Sequence, residues 1–161
     1  MPNSSPGSSA KRSNAPVALR PLRASDRAPL ESILRATGVF QEYEIEIALE
    51  LIDARPESGY RFFVAETEGV VAGYACFGRT PCTDGTWDLY WIAVDPARHG
   101  RGIGRVLMRA TEDAIRSEGG RLIVIETASK PSYDKTRAFY LEYGCKEVAR
   151  VPNFYAVGDD K

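Results

Sequence analysis

A glycine-rich stretch lies between an apolar segment and a long amphipathic segment, and its residue types suit anion binding. The apolar segment 91–94 is partly β-branched, as in a strand, and the apolar residues that follow Arg105 recur with helical spacing. Between them stand Gly100, Gly102 and Gly104, with Arg98, Arg101 and Arg105 beside them. The first main-chain N–H groups of a helix have no intrahelical acceptor, and glycines let an anion approach them closely. The pattern therefore predicts a site for a phosphate or pyrophosphate group.

Two well-known phosphate-binding loops do not match this stretch. The loop that binds nucleoside triphosphates needs Lys-Ser or Lys-Thr directly after its last glycine, and neither pair follows here. The dinucleotide fingerprint Gly-x-Gly-x-x-Gly needs a further glycine at position 105 or 107, where Arg105 and Leu107 stand. Both of these nucleotide-binding classes are therefore disfavoured.

The stretch resembles the acyl-CoA loop of the GNAT superfamily of N-acyltransferases, which reads Gln/Arg-x-x-Gly-x-Gly/Ala. Residues 99–104, His-Gly-Arg-Gly-Ile-Gly, match it except at the first position, where His99 stands. The resemblance continues through Leu89–Pro96 before the loop and Ala138–Cys145 after it. It implies that the CoA pyrophosphate binds the loop and the start of the helix, at His99, Gly100, Arg101, Gly102, Ile103, Gly104 and Arg105.

The same resemblance implies a mixed α/β fold, with a GNAT-like central β-sheet flanked by helices and two strands splayed at the CoA site. The pantetheine arm would pair with the main chain of the first splayed strand, at Ile92, Ala93 and Val94. Tyr133 occupies the place where many members have an Asn that contacts the arm. Arg137, one helical turn later, either reaches a phosphate or lies in solvent.

The reaction implied by the resemblance is transfer of an acetyl group from acetyl-CoA to a primary amine of a small molecule or peptide, with no metal. Tyr140 is expected to be the general acid, because residues 139–145 match the family's Phe-Tyr-x-x-x-Gly-Phe except for Cys145. Asp88 is expected to be the base and is preferred to Glu126, since it lies on the strand that leads into the loop. The alternatives are a tyrosine that packs with its hydroxyl at the surface and an exposed carboxylate at a strand end.

Hydrophobic spacing and turn residues predict the elements that must position these groups. Strands are predicted at residues 17–20, 60–66, 70–77, 86–94, 122–126 and 145–151, and helices from 26, at 42–52, at 105–117 and at 134–143. No apolar run follows Pro152. The strand with which GNAT folds usually finish is therefore expected to be absent from this chain, and the unpaired edge near Val151 would favour a homodimer.

Composition limits the broad class of the protein. Residues 1–16 are rich in Ser, Pro, Asn and Gly and are predicted to be a flexible tail, and residues 17–161 are predicted to form a single domain. A net charge of −1 and a pI near 5.9 disfavour nucleic acid and anionic lipid as partners. No apolar run approaches the roughly 20 residues of a membrane helix. The three cysteines lack the spacing of a zinc site, so a reduced, cytoplasmic location is expected.

Two other functions remain open at this point. One is an acyl-CoA-binding sensor or regulatory protein that does not turn over its ligand, and the other is a cysteine-dependent acyltransferase that uses Cys82. The second is disfavoured because His99 is the only histidine and no activating pair is evident. The acidic stripe Glu42, Glu46 and Glu50 is interpreted as a solvated helix face, with attraction of a cationic amine as the alternative.

Overall fold

The computed structural model describes residues 16–161, so the predicted tail lies almost entirely outside the described part of the chain. The strands are β1 (Val17–Arg20), β2 (Arg61–Thr67), β3 (Val70–Arg79), β4 (Thr86–Val94) and β5 (Leu122–Ile125). They form one sheet in the order β1-β2-β3-β4-β5, with β4 and β5 parallel and the other neighbours antiparallel. The helices are α1 (Arg27–Thr37), α2 (Glu42–Ile52), α3 (Ile103–Ser117) and α4 (Asp134–Tyr143). The predicted mixed sheet with flanking helices is confirmed.

The two faces of the sheet are covered by different helices. Leu30, Leu34 and Ile45 of α1 and α2 pack with Tyr74 and Ala93 in one core cluster. A second cluster, on the other face, contains α3 and the α4 aromatics; its members include Phe77, Trp87, Leu107 and Met108. This division explains why β3, covered on both faces, reads as a nearly continuous run of buried residues. None of the described helices is long and apolar enough to cross a membrane.

The predicted strand at residues 145–151 is wrong. Val148 is 93% exposed. Charged residues stand between the apolar residues of this segment and gain nothing from burial. Its end forms a different pairing, because Val151 and Lys161 exchange two main-chain hydrogen bonds of 2.9 and 3.0 Å. A groove of about 910 Å³ lies between this segment, α4 and β5. Within residues 16–161, no strand of the sheet follows β5.

A nearly buried group of ion pairs connects Arg20 of β1 with Asp26, which directly precedes α1, and with Glu66 of β2. The Arg20 guanidinium donates to both carboxylate oxygens of Asp26, at 2.6 and 2.8 Å, and to Glu66 at 2.7 Å. Asp26 is only 2% exposed and also accepts the Arg23 main-chain N–H at 2.7 Å. The hydrogen bonds from Arg20 lower the pKa of Asp26 below its ordinary value, and they outweigh the opposing effect of burial.

We expect Asp26→Asn to lower the free energy of unfolding at neutral pH by about 2 kcal/mol, because Arg20 loses its main counter-charge in a dry site. The wild-type contribution is present above the unfolded-state pKa of an aspartate and is lost as the pH falls through the lower pKa of the folded state. Urea unfolding across the acidic range measures this difference. An equal stability of the two proteins at neutral pH would contradict the prediction.

Candidate functional site

The parallel strands β4 and β5 part halfway along β4. They pair from Thr86 opposite Leu122 to Leu89 opposite Ile125, where β5 ends, while β4 continues to Val94. The other edge of β4 remains paired with β3 from Trp91 to Val94. The main-chain groups of residues 90–94 that point away from β3 therefore have no strand partner within the described structure. Ile92, Ala93 and Val94 lie on this free edge, which can pair with an amide-bearing ligand.

A β-bulge marks the point where the strands part. Cys76 of β3 pairs with Trp91 and the next residue, Phe77, pairs with Leu89, so that Tyr90 has no residue opposite it. Leu89 packs in the cluster beneath α3, whereas Trp91 packs beneath α1 and α2. The bulge thus shifts the alternation of side chains by one residue. It also redirects the main chain at the inner end of the free edge.

The glycine loop leads from the free edge to the N-terminus of α3. Gly100 and Gly102 have φ values of 75° and 76°, in the left-handed region that favours glycine. Gly102 is the N-cap of α3, and a Cβ at Gly104 would lie 3.1 Å from the Phe139 ring of α4. The helix begins at Ile103, two residues before the predicted start, so its first free N–H groups belong to the loop itself. This donor set fits a pyrophosphate, because unpaired N–H groups and the positive helix end converge on one position.

Two side chains of the loop are engaged with the protein. Arg98 donates to the Thr67 hydroxyl at 3.2 Å and forms an ion pair with Asp95. The His99 Nε2 atom lies 3.0 Å from the Val94 carbonyl oxygen. Arg98 therefore braces the turn after β4, and the His99 side chain caps the end of the free edge.

The other two arginines of the loop are exposed. Arg105 donates to the Glu142 carbonyl oxygen at 3.2 Å and lies 6.0 Å from the centre of the Tyr143 ring, so it links α3 to α4. Arg101 precedes the N-cap glycine and is exposed to solvent. Among the four cationic or ionisable side chains in this loop, Arg101 is the one without a hydrogen bond or ion pair to residues 16–161.

Tyr140 lies on α4, among aromatic and aliphatic side chains of the core cluster that contains α3. Its ring is 5.5 Å from that of Phe139, and both pack in the cluster that contains Ile92 and Ile125. Within residues 16–161, the structure gives its hydroxyl no hydrogen bond. Burial raises its pKa above the ordinary value, and nearby Cys145 adds to the shift. The hydroxyl therefore keeps its proton at neutral pH and is available as a donor.

Asp88 lies on the face of β4 that α1 and α2 cover, in the part of β4 that is still paired with β5. It is half-buried, and its Oδ2 atom accepts the Thr80 hydroxyl at 2.7 Å. Tyr90 lies near Asp88. Burial, the larger effect, and the Asp88 charge both raise the pKa of the Tyr90 phenol. The alternative base, Glu126, instead forms a 2.7 Å ion pair with Lys161 and is half-exposed. The structure thus holds Asp88 in a fixed environment and directs Glu126 toward the C-terminal segment.

Tyr133 and Arg137 have protein partners that the sequence did not indicate. The Tyr133 hydroxyl donates to Glu44 at 2.9 Å, and the ring is buried. Arg137 donates to the carbonyl oxygens of Ala128 and Lys130 at 2.6 and 3.2 Å. Arg137 therefore holds the loop after β5. Tyr133 can offer a ligand its ring edge or main chain, since its hydroxyl is already used.

Two residues that sequence reasoning missed, Phe40 and Glu44, contact Tyr133. Phe40 lies between α1 and α2, with its ring centre 5.6 Å from that of Trp91 and 6.3 Å from that of Tyr133. Glu44 accepts the Gln41 main-chain N–H at 2.7 Å, in addition to the Tyr133 hydroxyl. The spacing of Gln41 and Glu44 is that of a capping box, which could have separated Glu44 from the other acidic residues of α2.

The acidic stripe of α2 is a surface feature in this structure. Glu42 forms an ion pair with Arg35 at 2.7 Å, and the hydrogen bond from Arg35 lowers the pKa of Glu42. Glu46 and Glu50 are exposed. These positions agree with the interpretation of the stripe as a solvated face.

The cysteines do not form a nucleophilic site in the described structure. Burial raises the pKa of Cys76 to about 12, and it also raises that of Cys145, so neither thiol ionises readily. Cys82 is exposed in the loop between β3 and β4, and His99 is bound at the opposite end of β4. Among the described residues, no group of His, Cys, Asp and Glu side chains is arranged to hold a metal ion.

We therefore expect Cys82→Ala to retain the full rate of acyl transfer, because the thiol has no base to activate it. A loss of most of the activity in this variant would restore the cysteine-dependent mechanism. The rate of thiol release from acetyl-CoA measures the effect, after subtraction of a reaction without amine.

Comparison with known proteins agrees with this geometry. Residues 27–145 match the Acetyltransferase (GNAT) family. The N-alpha-acetyltransferase RimI of Mycobacterium tuberculosis is 34% identical over 96 residues, which are 58% of this chain and 56% of that protein. The L-amino acid N-acyltransferase MnaT of Escherichia coli is 32% identical over 96 residues, 57% of this chain and 56% of that one. The chain thus spans a little over half the length of these relatives.

Solved structures show the same fold. An acetyltransferase of the GNAT family from Desulfovibrio desulfuricans superposes with a TM-score of 0.85 at 40% identity, covering 90% of this chain and 94% of that one. The PaiA N-acetyltransferase of Thermoplasma acidophilum, solved in complex with coenzyme A, has a TM-score of 0.68 at 16% identity over 90% of this chain and 96% of that one. The match of residues 27–145, together with the parted strands and the glycine loop, establishes that this chain belongs to the GNAT acetyltransferase family.

Proposed function

We propose that the protein transfers an acetyl group from acetyl-CoA to a primary amine of a small molecule or peptide by direct attack. The observation that carries the proposal is the continuity between the free edge of β4 at residues 90–94 and the left-handed glycines at the N-terminus of α3. One end offers main-chain pairing to the pantetheine arm and the other offers N–H groups to the pyrophosphate. The names of the RimI and MnaT relatives, which describe N-acyl transfer, support a nitrogen acceptor.

The residues present fit this ligand in two places. The loop residues His99 to Arg105 contribute main-chain donors, with Arg101 as the free cation. Ile92, Ala93 and Val94 contribute the strand edge. Acetyl-CoA supplies a reactive thioester carbonyl when bound, so the protein needs chiefly to position the acceptor and to move protons.

Asp88 and Tyr140 perform the proton transfers in this mechanism. Asp88 takes a proton from the ammonium group of the acceptor, directly or through water, and the neutral amine nitrogen then attacks the thioester carbon. The nitrogen–carbon bond forms as the carbon–sulfur bond breaks, and the second nitrogen proton leaves to water. Tyr140 gives its proton to the departing sulfur. Burial raises the pKa of Tyr140, so its hydroxyl still carries a proton when the sulfur departs. The Thr80 hydroxyl keeps the Asp88 carboxylate in place.

The proposal is tested by a panel of amines with acetyl-CoA, followed through thiol release and the mass of the acetylated product. We expect release with at least one amine, and a fall of about 100-fold in kcat/KM for Asp88→Asn, the size usual for a general base. Glu126→Gln is the matched control and should keep most of the activity. Tight CoA binding with no release on any amine would favour the sensor alternative and contradict the proposal.

A further inference from the structure

The groove of about 910 Å³ between β5, α4 and residues 145–151 exposes apolar surface that folded proteins usually cover. Leu122, at the start of β5, is 49% exposed, and Leu141 of α4 is 59% exposed. The rest of β5 is partly exposed as well, although a wholly aliphatic strand is typical of a buried sheet. Apolar surface of this kind, bordered by charged side chains, is typical of a site that binds another polypeptide segment.

Both long sides of the groove carry main-chain groups without partners. One edge of β5 pairs with β4, and no strand of the described sheet lies against its outer edge. On the opposite side of the groove, residues 146–150 make no hydrogen bond from main chain to main chain within residues 16–161. A compact apolar ligand would leave these N–H and C=O groups unpaired, whereas an extended polypeptide can pair with both rows. The groove therefore fits a strand.

The contacts at one end of the groove set the direction of such a strand. Val151 and Lys161 exchange two main-chain hydrogen bonds of 2.9 and 3.0 Å, which is the pattern of a directly opposed pair in an antiparallel ladder. The Lys161 ammonium lies 2.7 Å from the carboxylate of Glu126, the residue directly after β5. Lys161 thus connects the two sides of the groove at this end. A strand that extended this pairing along the groove would run antiparallel to β5, and its C-terminal end would lie at Leu122.

The other end of the groove is basic. Arg116, Arg121 and Lys146 line it, in the last turn of α3, directly before β5 and near the start of residues 145–151. Arg121 donates to the Asp84 carbonyl oxygen at 2.6 Å, which does not neutralise its charge. Arg116 lies 3.6 Å from the exposed carboxylate of Asp113, a contact that contributes little in solvent. Three cations at this end favour a carboxylate at the C-terminus of the bound strand.

We propose that the groove binds the C-terminal segment of a partner protein as an added antiparallel strand. The segment has about six residues, a span of about 20 Å, with apolar side chains at alternate positions that face α3 and α4. Its main chain pairs with β5 on one side and with residues 146–150 on the other, and its terminal carboxylate meets Arg116 and Arg121. The bound strand also covers Tyr140, which lines the groove.

The test measures the binding of a six-residue peptide in which valine and threonine alternate, with an acetylated N-terminus and a free C-terminal carboxylate. We expect saturable one-to-one binding by calorimetric titration, and slower hydrogen exchange at the amides of residues 122–125 and 146–150. The same peptide with a central proline lacks an N–H and cannot continue the ladder, so it should bind at least about tenfold more weakly. The C-terminal carboxamide of the peptide should also bind about tenfold more weakly, because it lacks the charge-assisted contact.

Arginine variants separate recognition from misfolding. Arg121→Gln and Arg116→Gln should lose the preference for the carboxylate over the carboxamide and keep the wild-type affinity for the carboxamide. A misfolded variant would lose affinity for both peptides. Arg109→Gln, at an exposed arginine of α3 outside the groove, is the matched control and should keep the preference.

Three results would overturn the inference. They are equal binding of the alternating and proline peptides, no binding up to the solubility limit of the alternating peptide, and slowed exchange only at residues outside the groove. A dimer detected by sedimentation, with the same amides protected in the absence of peptide, would also overturn it, since a second copy would then occupy the groove. These measurements do not depend on acetyl transfer, so their failure would leave the proposed function unaffected.

Discussion

Tyr140→Phe is expected to lower kcat by about 100-fold while leaving the affinity for acetyl-CoA unchanged, because it removes a proton donor and almost no volume. The hydroxyl has no hydrogen-bond partner within residues 16–161, so its removal leaves no protein group unpaired. The free energy of unfolding should therefore stay close to that of the wild type. Steady-state thiol release measures kcat, and calorimetric titration with CoA measures the affinity.

Tyr143→Phe is the control for this variant. It lies on the same helix, but its hydroxyl donates to Glu112 at 2.8 Å and is thus engaged with the protein. We expect its kcat to remain near that of the wild type. Turnover by Tyr140→Phe that matches the wild type at all pH values would exclude the general-acid role.

Gly102→Val is expected to raise the KM for acetyl-CoA by about 100-fold, since two or more charge-assisted hydrogen bonds to the pyrophosphate would be misplaced. Gly102 has a φ of 76° and is the N-cap of α3. A β-branched residue strongly disfavours that conformation, so the first turn of the helix must rearrange. The N–H groups that converge on the ligand would then point elsewhere.

Gly119→Val separates this effect from backbone strain. Gly119 has a φ of 74° just after the other end of α3, and a Cβ there, as at Gly102, would meet no atom within 4 Å. Both variants should therefore lose a similar free energy of unfolding, and only Gly102→Val should show the rise in KM. Equal KM values for the two variants would argue against a phosphate site at this helix end.

Much of the candidate site for acetyl-CoA was predictable from the sequence, because it depends on local backbone conformation. The left-handed glycines, the strand before them and the helix after them are consecutive in the chain, so their pattern reports their geometry directly. Tyr140 and Asp88 remain predictions of role. In the structure Tyr140 is half-buried and its hydroxyl has no hydrogen bond among residues 16–161, and the Asp88 carboxylate is held by Thr80.

The partners of side chains were less predictable because they come from distant segments. Arg98 forms an ion pair with Asp95 and donates to the Thr67 hydroxyl. The Tyr133 hydroxyl donates to Glu44, which is 89 residues away in the chain. The strand expected at residues 145–151 failed for a similar reason. An apolar alternation permits a strand, but a strand forms only where a neighbouring edge is close enough to pair with it.

The sequence by itself determined the family resemblance, the class of the fold and the position of the predicted pyrophosphate site. All three follow from short-range patterns of glycine and apolar residues. Only the tertiary structure decided where β4 and β5 part, which side chains of the glycine loop have protein partners, and that Arg61 and Arg79 share the Glu118 carboxylate. The physical reason is that hydrogen bonds, ion pairs and ring contacts act at distances of a few ångströms in space. Such distances are set by packing between segments that the order of residues does not bring together.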